Sequence, residues 1–255
     1  MVRTTTDGRV RTLTLDRPES KNAFTPDTAS ETIEALEAAL TDDIRAIVIT
    51  GDGDAFSAGG DVESMNEREE TPLESYTRMS ETMNTVIETI LSAPVPVIAK
   101  VNGDAIGAGT NLVAACDFAI ASRDARFGEV FVNVGLIPDS GGTVILPRLV
   151  GLRTAKELAM TGKIFDAEEA ERLDLINRAV DPDDLEAEVD SLLATLGNRP
   201  TQTLALTKRG FHENIHKSLD EGLEYEALLQ SLAYGTDAHE EGVSAFLEKR
   251  DPEFR

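Results

Sequence analysis

Short apolar segments that run straight into glycine-rich turns constrain this chain most. Ile44–Thr50, with Ala46-Ile47-Val48-Ile49 at its centre, stops at Gly51-Asp52-Gly53, and Pro94–Val101 stops at Asn102-Gly103. Apolar runs of this length bounded by turn residues read as strands. Arg9–Asp16 alternates and reads as an earlier strand that Arg17-Pro18 ends. Thr25-Pro26 opens a helix whose stripe is Ile33, Leu36 and Leu40, since Thr caps and Pro suits the first helical position. Ser57–Met65 holds a glycine pair and turns into a helix, Glu67–Pro72 reads as a charged mobile loop, and Ser75–Leu91 has helical spacing. Gly103–Gly109 reads as a small-residue loop running into an apolar helix around Leu112–Ala115, with a strand at Asp117–Ser122. From Arg153 onward helices dominate, at Arg153–Thr161, Asp166–Leu173, Asp183–Leu196, Thr201–Asn214, Leu219–Tyr234 and Asp237–Glu248, with one short strand at Leu175–Val180. Alternating strands and helices followed by helices make an α/β chain of 255 residues.

Charge narrows the function classes. Asp and Glu number 47 against 24 Lys and Arg, a formal net charge of −23. Such a surface excludes a generic binder of nucleic acid or anionic membrane, because phosphate recognition needs a basic face. Only 7 of the cations are lysines. Acid-rich, lysine-poor usage suits concentrated salt, which screens self-repulsion. The single Cys116 forms no intramolecular disulfide and reads as a small core residue. Without a signal peptide or an apolar run near 18 residues, the chain is expected to be cytoplasmic.

Several chemistries fail on the residues. His212 and His216 lie four apart on one helix face, but no carboxylate pattern completes a zinc site and no metal is expected. The chain has neither a P-loop nor a G-x-S-x-G elbow, and Gly103-x-x-x-Gly107-x-Gly109 lacks the dinucleotide spacing. What remains is three glycine-rich turns: Phe56-Ser57-Ala58-Gly59-Gly60-Asp61, Asn102 to Gly109, and Gly135-Leu136-Ile137-Pro138-Asp139-Ser140-Gly141-Gly142. Unpaired N–H groups at two helix starts, converging on one point, could form an oxyanion hole.

Together these turns resemble the crotonase family, the enoyl-CoA hydratase/isomerase superfamily. The likeness also runs through Leu15-Asp16-Arg17-Pro18, Asn22-Ala23, Ile47–Gly51, Pro96–Gly103, Cys116-Asp117, Gly141-Gly142-Thr143, Leu158–Gly162 and Phe246–Arg250, in order. It implies a spiral of ββα units over residues 1–195 and a C-terminal helical trimerisation region over residues 196–255. It also implies an acyl-CoA thioester substrate whose coenzyme A is part of the substrate, no separate cofactor, and a homotrimer or dimer of trimers. By position, the oxyanion donors would be the N–H groups of Ala58 and Ala108. Lys21, Asn22, Ala23, Phe24, Gly60, Asp61 and Val62 would flank the CoA. Gly107, Phe131, Val134 and Leu136 would line the acyl group, and Phe246 and Lys249 would reach the nucleotide from a neighbouring subunit. Met65, Tyr76, Met79 and Met83 are further candidates for the acyl pocket, although such stripes are more often core.

The resemblance leaves the reaction open. Related hydratases carry two glutamates; here the corresponding positions are Asn111 and Phe131, neither of which is an acid or base at neutral pH. Asp139 is a different carboxylate. Read alone it is a helix N-cap ahead of a glycine turn. Within the resemblance, Leu136-Ile137-Pro138-Asp139-Ser140-Gly141-Gly142-Thr143 with Leu146-Pro147-Arg148 looks like the epoxyphenylacetyl-CoA isomerase branch, which uses one acid at this place as Δ3,Δ2-enoyl-CoA isomerases do. Phe131, Val134 and Leu136 are then expected to raise the Asp139 pKa, and Asn111 to orient the substrate or Asp139. Glu129 is the other acid in this stretch. On a strand it would point with Phe131, on a helix it would not, so whether it faces the pocket stays open. Hydration, dehalogenation (disfavoured by the absence of Trp) and silent acyl-CoA binding remain rival readings.

Overall fold

The strand Ala46–Gly51 is buried at all six positions, a pattern that requires cover on both faces of its sheet. The computed structural model, which describes residues 1–41 and 43–254, supplies that cover with a second sheet and helices. In chain order the elements are β1 (Val2–Asp7), β2 (Val10–Leu15), α1 (Pro26–Thr41), β3 (Ala46–Gly51), β4 (Ala55–Ser57), α2 (Val62–Asn66), α3 (Pro72–Met79) and α4 (Thr85–Ser92). Then come β5 (Val97–Val101), β6 (Asp104–Ile106), α5 (Ala108–Ala115), β7 (Phe118–Ser122), β8 (Arg126–Gly128), α6 (Leu146–Leu149), α7 (Leu152–Thr161), β9 (Ile164–Asp166), α8 (Ala167–Arg172) and β10 (Arg178–Val180). Helices α9 (Leu185–Gly197), α10 (Thr201–Asn214), α11 (Leu219–Tyr234) and α12 (Asp237–Glu248) end the chain.

One sheet runs β1-β2-β3-β5-β7-β10, the other β4-β6-β8-β9. All neighbours are parallel except β1/β2 and β8/β9. The strand pairs β3–β4, β5–β6 and β7–β8 each send their first strand to the larger sheet and their second to the smaller. The chain therefore winds as a spiral, and the carboxyl ends of β4, β6 and β8 lie side by side. The main core packs Leu13, Ile47, Phe56, Leu112 and Phe127. A smaller cluster on the outer face of the larger sheet joins Val48, Ile98 and Ile120 to Leu185 and Val189 of α9.

Several sequence expectations shift. The Thr-rich β1 forms a hairpin with β2 that periodicity missed, because five of its six residues are exposed. Gly103–Gly109, expected as a loop, contains β6, and β9 is a second strand among the C-terminal helices. Ser75–Leu91, expected as one helix, passes from α3 to α4 through a π-helical turn at Ser80–Asn84, where Thr85 Oγ1 donates to the Ser80 carbonyl at 3.0 Å. Among the described residues no helix is long and apolar enough to cross a membrane.

A buried ion pair fastens α10 to the spiral. Lys208 Nζ lies 2.7 Å from Asp117 Oδ2 with side chains 8% and 15% exposed, and it also donates to the Ile90 carbonyl at 2.7 Å. The same Asp117 oxygen accepts from the Val97 N–H at 2.8 Å. Lys208→Met leaves a carboxylate buried without its cation and is expected to cost about 3–5 kcal/mol. Urea unfolding checks this, and an unchanged midpoint would mean that Asp117 is solvated enough to stand alone.

Candidate active site

The three carboxyl ends of β4, β6 and β8 hand the chain to residues 58–61, 107–109 and 129–131. Close approach between the first two requires glycine. A Cβ on Gly59, which has φ +87°, would sit 2.5 Å from the Ile106 carbonyl oxygen, and one on Gly109 would collide with the Ser57 carbonyl oxygen. Phe24 pairs with this stretch as a parallel bridge, its N–H donating to the Gly59 carbonyl at 2.7 Å while the Asp61 N–H donates to the Phe24 carbonyl at 2.9 Å. The bridge uses the groups on either side of Gly60 and leaves the Gly60 N–H without an acceptor among the described residues. Ala108 is the first residue of α5, where a helix has no internal acceptor for an N–H. Gly60 and Ala108 line one narrow cavity, together with Phe24, Phe131 and Asp139.

This geometry corrects the donor assignment. Ala58, expected to supply one N–H, donates it to the Lys21 carbonyl at 2.8 Å. The free donor is two residues on, at Gly60. Two of the expected CoA contacts are also committed inside the protein. Asn22 is 1% exposed; its Oδ1 accepts from the Arg17 N–H, and its Nδ2 donates to the Asp52 and Ala55 carbonyls, each at 2.8 Å. Asp61 caps α2 by accepting from the Ser64 N–H at 2.9 Å and pairs with Arg17 at 3.1 Å; the Ser64 bond and Arg17 hold its carboxyl below the usual range. Lys21 is exposed, lines neither the cavity nor the cleft and has a left-handed conformation, φ 50°, and Ala23 is buried. Gly107 turns the chain at φ +56° and donates to the Gly128 carbonyl.

The cavity opens into a cleft of about 680 Å³ lined by Val62, Met65, Met79, Val134, Leu136 and Asp139, among others. The sequence thus brings together Phe24, Gly60, Val62, Ala108, Phe131, Val134, Leu136 and Asp139, with Met83 in the narrow part. Tyr76 points outward, 68% exposed, and lines neither part. Phe246 and Lys249, on and just after α12, lie outside the cleft of their own chain.

Asp139 sits in a turn and caps no helix: its carbonyl accepts from the Gly142 N–H at 2.8 Å, and its carboxylate accepts from Ser140 Oγ at 2.9 Å. Burial raises its pKa, against the Ser140 hydroxyl and the positive charge of Arg78. Asn111, fully buried, donates from Nδ2 to the Asp139 carbonyl at 2.9 Å, so it orients the turn that carries the acid.

Glu129 resolves differently from either local geometry considered. β8 stops at Gly128, and Val130–Val134 forms a 3-10 turn. This turns Phe131 to the cavity and Glu129 inward. Glu129 is 0% exposed, and neither carboxylate oxygen has a hydrogen-bond partner. Burial pushes its pKa up to about 8; the nearby Asn111 amide opposes this and the Asp139 charge adds to it. The two histidines are engaged apart, His216 Nε2 with Arg148 at 2.8 Å and His212 Nε2 3.9 Å from Asp117. Cys116 Sγ donates to the Leu112 carbonyl at 3.3 Å, and burial raises its pKa.

Comparison with known proteins agrees with the fold. The family profile described as "Enoyl-CoA hydratase/isomerase" matches residues 5–255. A "Probable enoyl-CoA hydratase" of Rhodobacter capsulatus is 40% identical, over 95% of this chain and 93% of its own. The "1,2-epoxyphenylacetyl-CoA isomerase" of Escherichia coli is 38% identical, over 96% and 94%. A crystal structure of an enoyl-CoA hydratase from Mycobacterium smegmatis superposes with a TM-score of 0.93 at 36% identity, covering 99% of this chain and 98% of that one. Hydratase is the commoner name among such relatives, and isomerases occur at similar identity. The spiral, the unpaired N–H pair at the strand ends and these likenesses agree: the chain belongs to the enoyl-CoA hydratase/isomerase family, the crotonase superfamily.

Proposed function

We propose that the protein is an acyl-CoA isomerase that shifts a double bond, or rearranges a ring epoxide, by proton transfer at Asp139. The observation that carries this reading is the placement of one carboxylate, Asp139, in the cavity that also holds the unpaired N–H groups of Gly60 and Ala108. Asn111 and Phe131 occupy the positions of the two glutamates with which related hydratases hold water and move its proton, and neither can act as an acid or base.

With a 3-enoyl thioester, the Asp139 carboxylate takes a proton from C2. The electron pair moves into a dienolate whose negative thioester oxygen the Gly60 and Ala108 N–H groups stabilise, and the new carboxylic acid returns the proton to C4. The product is the 2-enoyl thioester, with the same atoms and Asp139 restored. The reaction is redox-neutral and moves one proton, so it calls for no cofactor beyond the CoA of the substrate. The upward shift of the Asp139 pKa strengthens it as a base toward carbon acids. In this reading Lys21, exposed and joined through its carbonyl to the Ala58 N–H, meets a CoA phosphate.

The same reading takes the working form as a homotrimer or dimer of trimers, supported by Phe211, Leu219 and Phe246 standing 75%, 77% and 83% exposed on the C-terminal helices. In that assembly Phe246 and Lys249 reach a neighbour's nucleotide.

The test offers crotonyl-CoA, 3-hexenoyl-CoA and the epoxide of phenylacetyl-CoA in parallel, at low and molar salt, and follows product mass and retention. Unchanged mass with new retention is expected. A gain of one water on crotonyl-CoA would make the enzyme a hydratase and overturn the assignment.

A further inference from the structure

Two guanidinium groups stand on the acyl side of the cleft, and the proton shuttle uses neither. Arg68, in the segment after α2, and Arg78, on α3, line both the narrow cavity beside Asp139 and the wider cleft. They differ in how their charge is met. Arg78 Nε donates to both oxygens of Glu70, at 2.9 and 3.1 Å, and is thereby neutralised. Arg68 Nη2 donates to the Ser64 hydroxyl at 2.7 Å, and Arg68 makes no ion pair among the described residues. Its pKa is lowered by burial first and by the charge of Arg78 second, against the charges of Glu70 and Asp61. In a chain of net charge −23, a half-buried arginine held beside a second arginine and without its own carboxylate is an exception that a ligand would account for. Met65, Met79, Val134, Leu136 and Ile137 supply an apolar wall, and Glu70 and Asp139 are the carboxylates that also line the cleft, the first held by Arg78. An aliphatic chain fits that wall, and an anionic oxygen at its far end fits Arg68.

We infer that the acyl group carries a second carboxylate, and that Arg68 receives it as a two-pronged ion pair while Arg78 stays engaged with Glu70. The inference rests on the reading of this cleft as an acyl-CoA site and extends it from a reaction to a substrate class, the CoA thioesters of dicarboxylic acids. A planar guanidinium matches a carboxylate through two parallel hydrogen bonds, and a partly desolvated pair of this kind discriminates more than a surface pair does. Without the anion, the site leaves a cation poorly compensated; with an alkyl chain, it would bury that cation against methyl groups.

The experiment measures binding without turnover. Hexanoyl-CoA and adipoyl-CoA have the same chain length, are saturated and cannot isomerise. Calorimetric titration of the whole protein with each is expected to show adipoyl-CoA bound about tenfold tighter. Arg68→Met should erase that preference while changing hexanoyl-CoA affinity less than about threefold, and Arg68→Lys should keep part of it. Thermal unfolding of both variants, matched to the parent, excludes a folding defect. Equal affinity of the parent for the two thioesters overturns the inference. So does an equal loss for both in Arg68→Met, which would place Arg68 on the CoA phosphates. Because neither probe reacts, a preference for adipoyl-CoA in an enzyme that fails to isomerise 3-hexenoyl-CoA or 3-hexenedioyl-CoA would retire the isomerase reading and leave this one standing.

Discussion

Asp139→Asn is expected to lower isomerase turnover by about 10³-fold while saturated acyl-CoA binding changes less than about threefold. Asparagine keeps the shape and can still meet Ser140 Oγ, which lies 2.9 Å from the Asp139 carboxylate. It cannot accept a proton from carbon. The neighbouring groups offer no replacement on the cavity wall: position 111 is Asn and position 131 is Phe, and Glu129 lies behind them, 0% exposed. The oxyanion donors are backbone N–H groups and survive the change, so some polarisation of the thioester persists. The loss should therefore fall on kcat, since an interaction made only along the reaction path disappears and ground-state binding stays. Folding should not suffer, because burial already disfavours the Asp139 carboxylate and a neutral amide removes that penalty. Single-turnover conversion of 3-hexenoyl-CoA, with binding of hexanoyl-CoA measured separately, checks the result. Wild-type turnover in the variant would exclude Asp139 as the base.

The contrast between Ala58 and Gly60 shows where sequence reading ran out. The motif Phe56 to Asp61 identifies a turn that brings backbone to a ligand. Which N–H faces the cavity depends on pairing with Lys21 and Phe24, partners far away in the chain. Nothing in the local residues encodes that alternation, and the expectation landed two residues early. Asn22 failed for the same reason: its side chain is consumed by Arg17, Asp52 and Ala55, contacts that exist only once the spiral has closed.

Where the signals are local, the agreement is close. Helices α10, α11 and α12 begin and end as their sequence patterns predict. Pro200 precedes the first, Ser218 and Glu221 form a capping box for the second, and Thr236 caps the third. Three-residue strands such as β6 and β9 are too short to show a period, and they were missed or read as loop. Asp139 was legible because its candidate role rested on a whole motif. Arg68 and Arg78 were not, because a charged run such as Glu67 to Pro72 reads as solvated surface until the fold turns its flank toward a cleft.

Glu129→Gln is expected to stabilise the protein at alkaline pH by roughly 4–5 kcal/mol and to leave it within about 1 kcal/mol of the parent at pH 4.5 to 5. The cause is a carboxyl sealed in the interior, with both oxygens unpartnered and a pKa raised from 4.5 to about 8. In the unfolded chain the same group releases its proton near its ordinary value. Between those two pKa values the folded protein binds more protons than the unfolded one, so stability falls as pH rises through that window and levels off above about 8. Asp139, also raised, tilts the curve in the same direction from its own lower starting point. Comparison with the glutamine variant isolates the Glu129 share, because Gln fills the same space and never ionises. Urea unfolding of both proteins at pH 5 and pH 8.5 gives the difference directly. A parent whose stability holds constant across that range would show that Glu129 is charged in the folded state and finds a partner there. The buried glutamate also couples to the site. Below about pH 8 it is neutral and leaves Asp139 to carry the local negative charge alone, and above that value it adds a second negative charge beside Asp139. In the variant that second effect disappears, so the pH profile of turnover should lose any alkaline inflection that Glu129 contributes while keeping the one that belongs to Asp139.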